Sequence, residues 1–256
     1  MVKAMSAEEQ KIIDRASPEE QARRIKFLQL FKSCPIPERE LLSQLGLFTR
    51  RQDLSRQLFM HEMYQRIIGV PGIVIEFGVR WGQNLALFSS FRGIHEPYNH
   101  TRKIVGFDTF AGFPTVHAKD GTAEIATTGA YGVTDNYDEY LEQVLNYHES
   151  ESPVSHMKKF ELVKGDAGEQ TEKYLIAHPE TIIALAYFDL DLYEPTKRCL
   201  QAIRSHLTKG SVIGFDELNI SFFPGETQAL KEVLGLDRYR IYRSPYGSSP
   251  SYLIVE

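Results

Sequence analysis

The 256-residue sequence is poor in cysteine and tryptophan, with two cysteines and one tryptophan. Cys34 and Cys199 lie far apart in apolar contexts, and no further cysteine completes a metal-binding or disulfide-exchange spacing. A disulfide-rich scaffold and a cysteine-bound zinc site are therefore excluded. We expect two free thiols, which is typical of a protein in a reducing cytoplasm.

The sequence also lacks long hydrophobic runs and an excess of basic residues. No apolar stretch reaches the length that spans a bilayer, and residues 1–17 are polar without the apolar core of a signal peptide. The net charge of −5 and the pI near 5.9 do not favour non-specific nucleic-acid binding. We therefore expect a cytoplasmic protein that binds neither membranes nor nucleic acid.

What the sequence does contain is an ordinary globular composition, 42% hydrophobic and 25% charged. Residues 1–70 carry helix signals, including a capping box at Ser6 and Glu9 and a helix start at Ser17 and Pro18. We predict that they form an N-terminal helical extension that covers a site or joins copies of the chain. A homo-oligomer is therefore expected.

Residues 71–256 alternate short apolar runs with helical patterns and form the second predicted domain. This alternation predicts an α/β fold with a Rossmann-like, mostly parallel sheet and right-handed crossovers. Seven segments have strand character. The last two, Tyr239–Arg243 and Tyr252–Val255, are joined by a turn-rich segment, which predicts a C-terminal antiparallel hairpin.

The run ALAYFDLDLYEPT is apolar without alternation and ends in Asp189 and Asp191, and the next strand-like run, SVIGF, ends in Asp216 and Glu217. Strands buried on both faces have this pattern, and ligands bind at their carboxyl ends in open α/β sheets. Carboxylates gathered at one sheet edge repel each other unless a cation neutralises them. We predict Mg²⁺, with Asp189, Asp216 and Glu217 as ligands. The alternative is that these acids cap the following helices or face water.

The segment EFGVRWG is the second informative one, because Gly78 ends a strand and Gly82 precedes a helix. Glycine permits a tight turn and a close approach by a ligand. The spacing matches neither the dinucleotide fingerprint nor the phosphate loop of nucleotide triphosphatases, which disfavours a nicotinamide-dependent oxidoreductase. Taken singly, a strand that ends at a glycine or an acid could serve packing alone. Together they predict a nucleoside-like ligand, with Glu76 facing an ammonium group, Asp108 the ribose hydroxyls and Asp166 an adenine amino group.

Three segments, EFGVRWGQN, GFDTFAGFP and FDLDLYEPT, carry a resemblance to a known family. They are similar to the first cofactor loop, the second strand with its turn, and the metal-bearing motif of class I S-adenosylmethionine-dependent methyltransferases of the macrocin/mycinamicin (TylF) sugar O-methyltransferase branch. Leu190 and Pro195 depart from the usual Gly and Ser of that branch. From about residue 70 onward, the resemblance implies methyl transfer to a hydroxyl of a deoxysugar on a glycosylated natural product of antibiotic biosynthesis, such as a rhamnose of an enediyne.

The resemblance also implies roles for the strand-end residues. A bound Mg²⁺ is expected to lower the pKa of the sugar hydroxyl, and Asp191 is the first candidate for the base, with Asp189 the second. Asp191 has two alternatives, which are to position its neighbours or to cap the following helix. The residues expected to contact S-adenosylmethionine are Glu76, Gly78, Gly82, Asp108, Asp166 and Asp189.

Two other functions stay open at this point. The first is a catechol-type O-methyltransferase, which would use the same metal chemistry on a planar acceptor. The second is a non-catalytic nucleoside-binding scaffold that has kept the fold. The long loop from Phe110 to Thr134 is a candidate lid, and His117 within it is a weaker candidate for contact with the substrate.

Overall fold

The computed structural model describes residues 16–256, and these residues form eight α-helices and seven strands. The helices are α1 (Pro18–Lys32), α2 (Glu38–Leu41), α3 (Arg51–Ile67), α4 (Gln83–His95), α5 (Tyr137–Ser150), α6 (Ala167–Ala177), α7 (Tyr193–Ile203) and α8 (Gly225–Val233). The strands are β1 (Ile73–Phe77), β2 (Ile104–Asp108), β3 (Phe160–Lys164), β4 (Ile183–Phe188), β5 (Leu207–Phe215), β6 (Ile241–Arg243) and β7 (Ser251–Ile254). Short 3₁₀ segments lie at Leu42–Phe48, Ala118–Asp120 and Arg204–His206.

The strands form one sheet in the order β3-β2-β1-β4-β5-β7-β6. All neighbouring pairs from β3 to β5 are parallel, while β7 runs antiparallel to both β5 and β6. The predicted α/β class, the mostly parallel seven-stranded sheet and the C-terminal hairpin are thereby confirmed. The strand order changes direction between β1 and β4, which places a topological switch point at the centre of the sheet.

Helices cover both faces of the sheet, which explains why β1 and β4 are buried along their whole length. Side chains of α3, α4 and α5 pack on one face. Side chains of α6, α7 and α8 pack on the other. A strand between two helical layers has no solvent face, so its sequence is continuously apolar rather than alternating. The run that ends at Asp189 has this pattern for that reason.

The N-terminal helices differ in how they relate to the sheet. Ser17 caps α1 as predicted, with its side chain accepting the N–H of Glu20, but α1, α2 and the following 3₁₀ segment bury no residue. In contrast, α3 buries one side, including Phe59 and Met63, against the sheet. The capping box at Ser6 and Glu9 lies outside the described residues. The homo-oligomer stays a prediction.

No helix within residues 16–256 is both long and apolar enough to cross a bilayer. The cysteines of this part of the chain, Cys34 and Cys199, are free thiols, as predicted.

Candidate active site

A cavity of about 460 Å³ opens at the carboxyl ends of the central strands. Its wall includes residues that directly follow β1, β2, β3, β4 and β5, together with residues of α3. The volume lies in the range of small-molecule binding sites, and the position coincides with the switch point between β1 and β4. The strand-end acids and glycines singled out in the sequence therefore meet at one site, except Glu76, which lies behind its wall.

Two glycines shape the turn between β1 and α4, and both line the cavity. Gly78 has a φ of +86° and Gly82 a φ of +76°. A Cβ atom on Gly78 would overlap the backbone carbonyl of Asp189, and one on Gly82 would overlap the side chain of Leu141. Glycine is required at both places by the backbone angle and by the close approach of neighbouring atoms.

Asp108 ends β2 in the cavity wall. Its carboxylate accepts the backbone N–H of Arg80 at 2.7 Å and that of Phe110 at 2.6 Å. Burial raises the pKa of Asp108, and the two N–H groups oppose that rise. A carboxylate has about four acceptor positions, so these two bonds leave capacity for hydroxyl donors of a ligand.

Asp166 lies in the cavity wall at the start of α6, where it serves as the N-cap. Its Oδ1 atom accepts the N–H of Glu169 at 2.9 Å and lies 3.4 Å from a guanidinium nitrogen of Arg198. One oxygen of Asp166 is thus engaged in holding α6. The expected contact with an adenine amino group stays a prediction.

Glu76 lies within β1 behind the cavity wall, with 1% of its surface exposed. Its Oε1 atom accepts the side-chain N–H of Asn84 at 2.6 Å, while its Oε2 atom has no hydrogen-bond partner among the described residues. Burial raises the pKa of Glu76 well above its ordinary value. Asn84 itself lines the cavity. The orphaned oxygen fits the predicted cationic group of a cofactor, because an unpaired buried carboxylate oxygen is costly.

The acids that follow β4 and β5 meet a cation of the protein itself, Arg56 of α3. One guanidinium nitrogen of Arg56 donates to Asp189, and the other donates to Asp216 at 2.7 Å. The hydroxyl of Tyr187 donates to the same oxygen of Asp216 at 2.6 Å. The Nε atom of Arg56 reaches Asn84 at 3.4 Å, which links this group to Glu76. Arg56 therefore supplies part of the positive charge that the clustered acids require.

A buried carboxylate holds the two strand-end loops together. Glu226 of α8 is fully buried, and its Oε1 atom accepts the N–H groups of Leu190 at 3.1 Å and Asp191 at 3.3 Å. Its Oε2 atom accepts the N–H of Glu217 at 3.2 Å. Burial, followed by the charges of Asp191 and Asp189, raises the pKa of Glu226 well above its ordinary value. Glu226 thus fixes the backbone from which the cavity acids project.

Asp191 lies in the cavity wall with a φ of +59°. Within the described part of the chain, no group donates a hydrogen bond to its carboxylate. The N–H of Tyr193, where α7 begins, is accepted by Asp120 from the loop after β2. The helix-capping role considered for Asp191 therefore belongs to Asp120. The Asp191 carboxylate is left facing the cavity.

The site contains more carboxylates than Arg56 can pair with, and the pKa values of Asp189 and Asp191 are raised. Burial and the charge of Asp216 raise the pKa of Asp189 to about 6, although Arg56 opposes the rise. Burial, followed by the charges of Asp189 and Glu217, raises the pKa of Asp191 well above its ordinary value. The charges of Arg56 and Arg80 lower the pKa of Asp189, but they do not offset burial and the charge of Asp216.

A metal site is not assembled in this arrangement. Across residues 16–256, no three acidic, histidine or cysteine side chains are grouped so that they could hold a metal ion. Arg56 pairs with Asp189 and Asp216, which are two of the three predicted ligands. The donor set still suits a hard divalent cation, because all its ligands are carboxylate oxygens and the cluster retains excess negative charge. Binding of Mg²⁺ would require Arg56 to leave these acids.

Aromatic rings line the cavity around Arg80. The guanidinium carbon of Arg80 lies 5.0 Å from the ring centre of Tyr131 and 5.9 Å from that of Trp81. Trp81 in turn contacts Tyr137 edge-on, with ring centres 4.7 Å apart. This part of the wall offers flat apolar surface with one cation, and it lies close enough to the strand-end acids that burial and, after it, the charges of Asp191 and Glu217 raise the pKa of Tyr131.

The loop predicted as a lid packs into a small core that it shares with the segments after β4 and β5, and this core includes Phe113 and Phe223. Within this loop, the Nδ1 atom of His117 accepts the N–H of Lys119 at 3.0 Å, and the imidazole ring packs 5.1 Å from Tyr193. His117 thus fixes a turn, while Phe113 and its neighbours reach the cavity wall.

The residues of the site that the sequence analysis missed include Arg56, Asn84 and Glu226. Their signal was weak. Arg56 lies on a helix with many charged residues, Asn84 is one polar residue at a helix start, and Glu226 follows Pro224 and Gly225 as an ordinary helix-start acid. The need for a positive group near the strand-end acids was predictable, but not its source.

Comparison with solved structures places this geometry in a family. A crystal structure of CalS11, calicheamicin methyltransferase, is 45% identical, covers 94% of each chain and superposes with a TM-score of 0.91. The apo structure of CalS11, described as a TDP-rhamnose 3′-O-methyltransferase, is 42% identical over 94% of this chain and 96% of that chain, with a TM-score of 0.83. The O-methyltransferase NovP is 19% identical over 78% of this chain and 79% of that chain, and its TM-score of 0.59 supports the fold alone.

A scan of protein-family models and a search of curated proteins returned no match. The CalS11 structures confirm the resemblance to sugar O-methyltransferases. The chain belongs to the family of CalS11 and is an S-adenosylmethionine-dependent O-methyltransferase.

Proposed function

We propose that the chain transfers a methyl group from S-adenosylmethionine to a hydroxyl of a deoxysugar in antibiotic biosynthesis. The observation that carries this proposal is the 45% identity over 94% of the chain with CalS11. A CalS11 structure is described as that of a TDP-rhamnose 3′-O-methyltransferase. The acidic end of the cavity supports the proposal, because a sugar hydroxyl needs a nearby proton acceptor to become a nucleophile.

The cofactor is proposed to lie along the turn between β1 and α4. Gly78 and Gly82 leave room for it, Asp108 accepts hydrogen bonds from its ribose, and Asp166 faces its adenine. The ammonium group lies towards the orphaned oxygen of Glu76 and the carboxylate of Asp189. The cofactor supplies the methyl group, and the cavity walls hold it in line with the acceptor oxygen, which raises the rate by orientation.

The metal is proposed to be Mg²⁺, held by Asp189, Asp216 and Glu217. When bound, a divalent cation supplies Lewis-acid activation of a sugar hydroxyl. The support lies in the chain itself: the three ligands are oxygen donors, and the pKa of Asp189 is raised to about 6 by burial and by Asp216. Arg56, whose side chain is 30% exposed, pairs with two of these acids from the cavity side.

Asp191 is proposed as the group that takes the proton from the acceptor hydroxyl, and Asp189 is the second candidate. Asp191 faces the cavity without a hydrogen-bond donor from the described residues, and Glu226 holds its backbone N–H in place. A base fixed in position and unengaged can receive a proton from a substrate oxygen. The positive φ of Asp191 is consistent with backbone strain at a functional residue.

Thermal unfolding with S-adenosylhomocysteine, with and without Mg²⁺ and with a chelator, tests these assignments. At about one hundred times its dissociation constant, the cofactor product should add roughly 2.7 kcal/mol to the free energy of unfolding. Mg²⁺ should raise the melting temperature further in the unmodified protein and in Asp191→Asn, but not in Asp189→Asn. Turnover of Asp191→Asn should fall by about 10²–10⁴-fold.

Each assignment has its own contrary result. A melting temperature of the cofactor complex that does not respond to Mg²⁺ would contradict the metal site. Full turnover by Asp191→Asn would contradict the base, and the absence of any shift with S-adenosylhomocysteine would contradict the cofactor site. Because Asp191→Asn and Asp189→Asn remove the same charge, they serve as controls for each other.

A further inference from the structure

The proposed position of the cofactor leaves one of its charged groups, the carboxylate of the methionine portion, to be matched with a cation of the chain. The ammonium group, which lies towards Glu76, and this carboxylate are bonded to the same carbon atom, so the two groups lie side by side. A cation that binds the carboxylate must therefore lie near Glu76. Within residues 16–256, the basic side chains in the cavity wall are Arg56 and Arg80.

Arg56 is the arginine that the structure joins to Glu76. Its Nε atom donates to the side-chain oxygen of Asn84 at 3.4 Å, and the side-chain nitrogen of Asn84 donates to Oε1 of Glu76 at 2.6 Å. Burial raises the pKa of Glu76, and the charge of Arg56 opposes that rise. Among the described residues, the Oε2 atom of Glu76 has no hydrogen-bond partner. An ammonium group at that oxygen brings the adjoining carboxylate into the neighbourhood of Asn84 and Arg56.

Arg80 lies in a different part of the wall. Its backbone N–H donates to Asp108 at 2.7 Å, and its guanidinium carbon lies 5.0 Å from the ring centre of Tyr131 and 5.9 Å from that of Trp81. Asp108 is the residue expected at the ribose, which the sulfur atom and carbon chain of the methionine portion separate from the carboxylate. The Nε atom of Arg80 has no hydrogen-bond partner in the described part of the chain, so Arg80 is the rival candidate.

Arg56 also pairs with acids that are proposed as metal ligands, so one side chain is common to both sites. One terminal nitrogen of Arg56 donates to Asp189, and the other donates to Asp216 at 2.7 Å. A divalent cation at these acids repels the guanidinium group, whereas a carboxylate beside Asn84 attracts it. Each ligand thus favours the position of Arg56 that the other requires, and a coupling of this kind between two sites is reciprocal.

We propose that Arg56 binds the carboxylate of the cofactor's methionine portion, and that its movement there from Asp189 and Asp216 makes the binding of the cofactor and of the divalent cation cooperative. This inference rests on the proposed function, because it requires the cofactor and the metal assigned there. It also explains why a cation of the protein lies among acids suited to Mg²⁺. Arg56 neutralises these acids until the cofactor supplies the carboxylate that draws it away.

The first test compares S-adenosylhomocysteine with its decarboxylated analogue, which keeps the nucleoside, the sulfur atom and the ammonium group. In calorimetry on the full chain, the unmodified protein should bind S-adenosylhomocysteine about ten to a hundred times more tightly, the range of a charged hydrogen-bonded contact. Arg56→Gln should bind the two compounds about equally. Arg66→Gln, which removes an arginine of the same helix outside the cavity wall, should keep the full preference.

The second test measures binding of Mn²⁺, which takes the same oxygen ligands as Mg²⁺, from the electron paramagnetic resonance signal of the free ion. Saturation with S-adenosylhomocysteine should tighten Mn²⁺ binding by the unmodified protein about tenfold, a typical coupling between two sites, whereas the decarboxylated analogue should not. Arg56→Gln should bind Mn²⁺ more tightly than the unmodified protein when neither compound is present, and S-adenosylhomocysteine should add nothing.

Arg56→Lys keeps the positive charge but not the paired contact with a carboxylate. Its preference for S-adenosylhomocysteine and its coupling to Mn²⁺ should therefore both fall without disappearing. This variant provides the same two measurements if Arg56→Gln does not fold.

The inference would be overturned by an undiminished preference of Arg56→Gln for S-adenosylhomocysteine, or by a Mn²⁺ affinity of the unmodified protein that S-adenosylhomocysteine leaves unchanged. Loss of the preference in Arg80→Gln but not in Arg56→Gln would assign the carboxylate to Arg80 instead. Methyl transfer to a sugar would stand after any of these results. Failure of the unmodified protein to bind S-adenosylhomocysteine would contradict the proposed cofactor site itself, and failure to bind Mn²⁺ under every condition would contradict the metal site and the coupling together.

Discussion

Gly78 is the residue at which the cofactor turn and the acidic loop come into contact. Its φ of +86° and the proximity of the Asp189 carbonyl leave no room for a side chain. We expect Gly78→Ala to lower the free energy of unfolding by at least about 1–2 kcal/mol from the left-handed backbone alone. Displacement of Asp189 should also weaken cofactor binding. Urea unfolding and calorimetry with S-adenosylhomocysteine measure the two effects.

The same substitution at Gly93 is the control. Gly93 lies inside α4, and a Cβ atom there meets nothing within 4 Å. Gly93→Ala should stabilise the protein by roughly 0.5–1 kcal/mol, because alanine favours a helix interior. If Gly78→Ala unfolded at the same urea concentration as the unmodified protein, the close contact between Gly78, after β1, and the Asp189 carbonyl, after β4, would be contradicted.

Residues that belong to one short segment were predictable, whereas residues that meet across the fold were not. Asp189, Asp216 and Gly78 were found because an apolar run followed by acids or glycine marks a strand end. Arg56 was not found, because its pairing with Asp189 joins positions 133 apart in the sequence. Only the packing of α3 on the sheet brings its arginine to these acids.

At the scale of elements, Arg102 connects the end of α3, the start of β1 and the end of α4. Its side chain is 1% exposed and donates to the carbonyls of Gly72, Ile67 and Val70 at 2.6, 2.9 and 2.9 Å. It also pairs with Glu96 at 3.0 Å. Arg102→Gln should therefore lower the free energy of unfolding by about 3–5 kcal/mol, since Glu96 loses a buried partner.

Arg39→Gln provides the matched comparison, because the Arg39 side chain is 84% exposed and its pair with Glu40 is 3.5 Å long. Exposed pairs contribute about 0–1 kcal/mol, so this variant should unfold close to the unmodified protein. The change in the free energy of unfolding of both variants is measured from their urea midpoints, provided that the m-values are unchanged. If the free energy of unfolding of Arg102→Gln fell by less than about 1 kcal/mol, the expectation would be contradicted, because the three carbonyls and Glu96 would then have found other hydrogen-bond partners.

The boundaries of elements were less predictable than their existence. The sequence predicts a helix from Thr196, but α7 begins at Tyr193, so Pro195 is its third residue. Proline is tolerated there because the first four N–H groups of a helix have no intrahelical acceptor. The sequence pattern also predicts a helix from Gln170, but α6 begins at Ala167, because Asp166 caps it by accepting the N–H of Glu169.

At the scale of the whole molecule, the fold was predictable because the hydrophobic pattern reports burial. Strands covered on both faces are continuously apolar, and the crossovers between them leave little choice of topology. The position of the N-terminal helices was not predictable in the same way. From α1 to Phe48 no residue is buried, and apolar side chains such as Ile25 and Leu28 are exposed, so packing within the described residues does not specify what these helices contact.

At the same scale, we expect this O-methyltransferase to methylate a deoxysugar hydroxyl. The most direct test is mass spectrometry of the acceptor after incubation with S-adenosylmethionine and Mg²⁺, with TDP-rhamnose, a rhamnoside and a catechol in parallel. We expect a sugar acceptor to gain one methyl group while an equal amount of S-adenosylhomocysteine forms, and the catechol to be unchanged. Methylation of the catechol with both sugars unmodified, by a protein that binds S-adenosylhomocysteine, would contradict it.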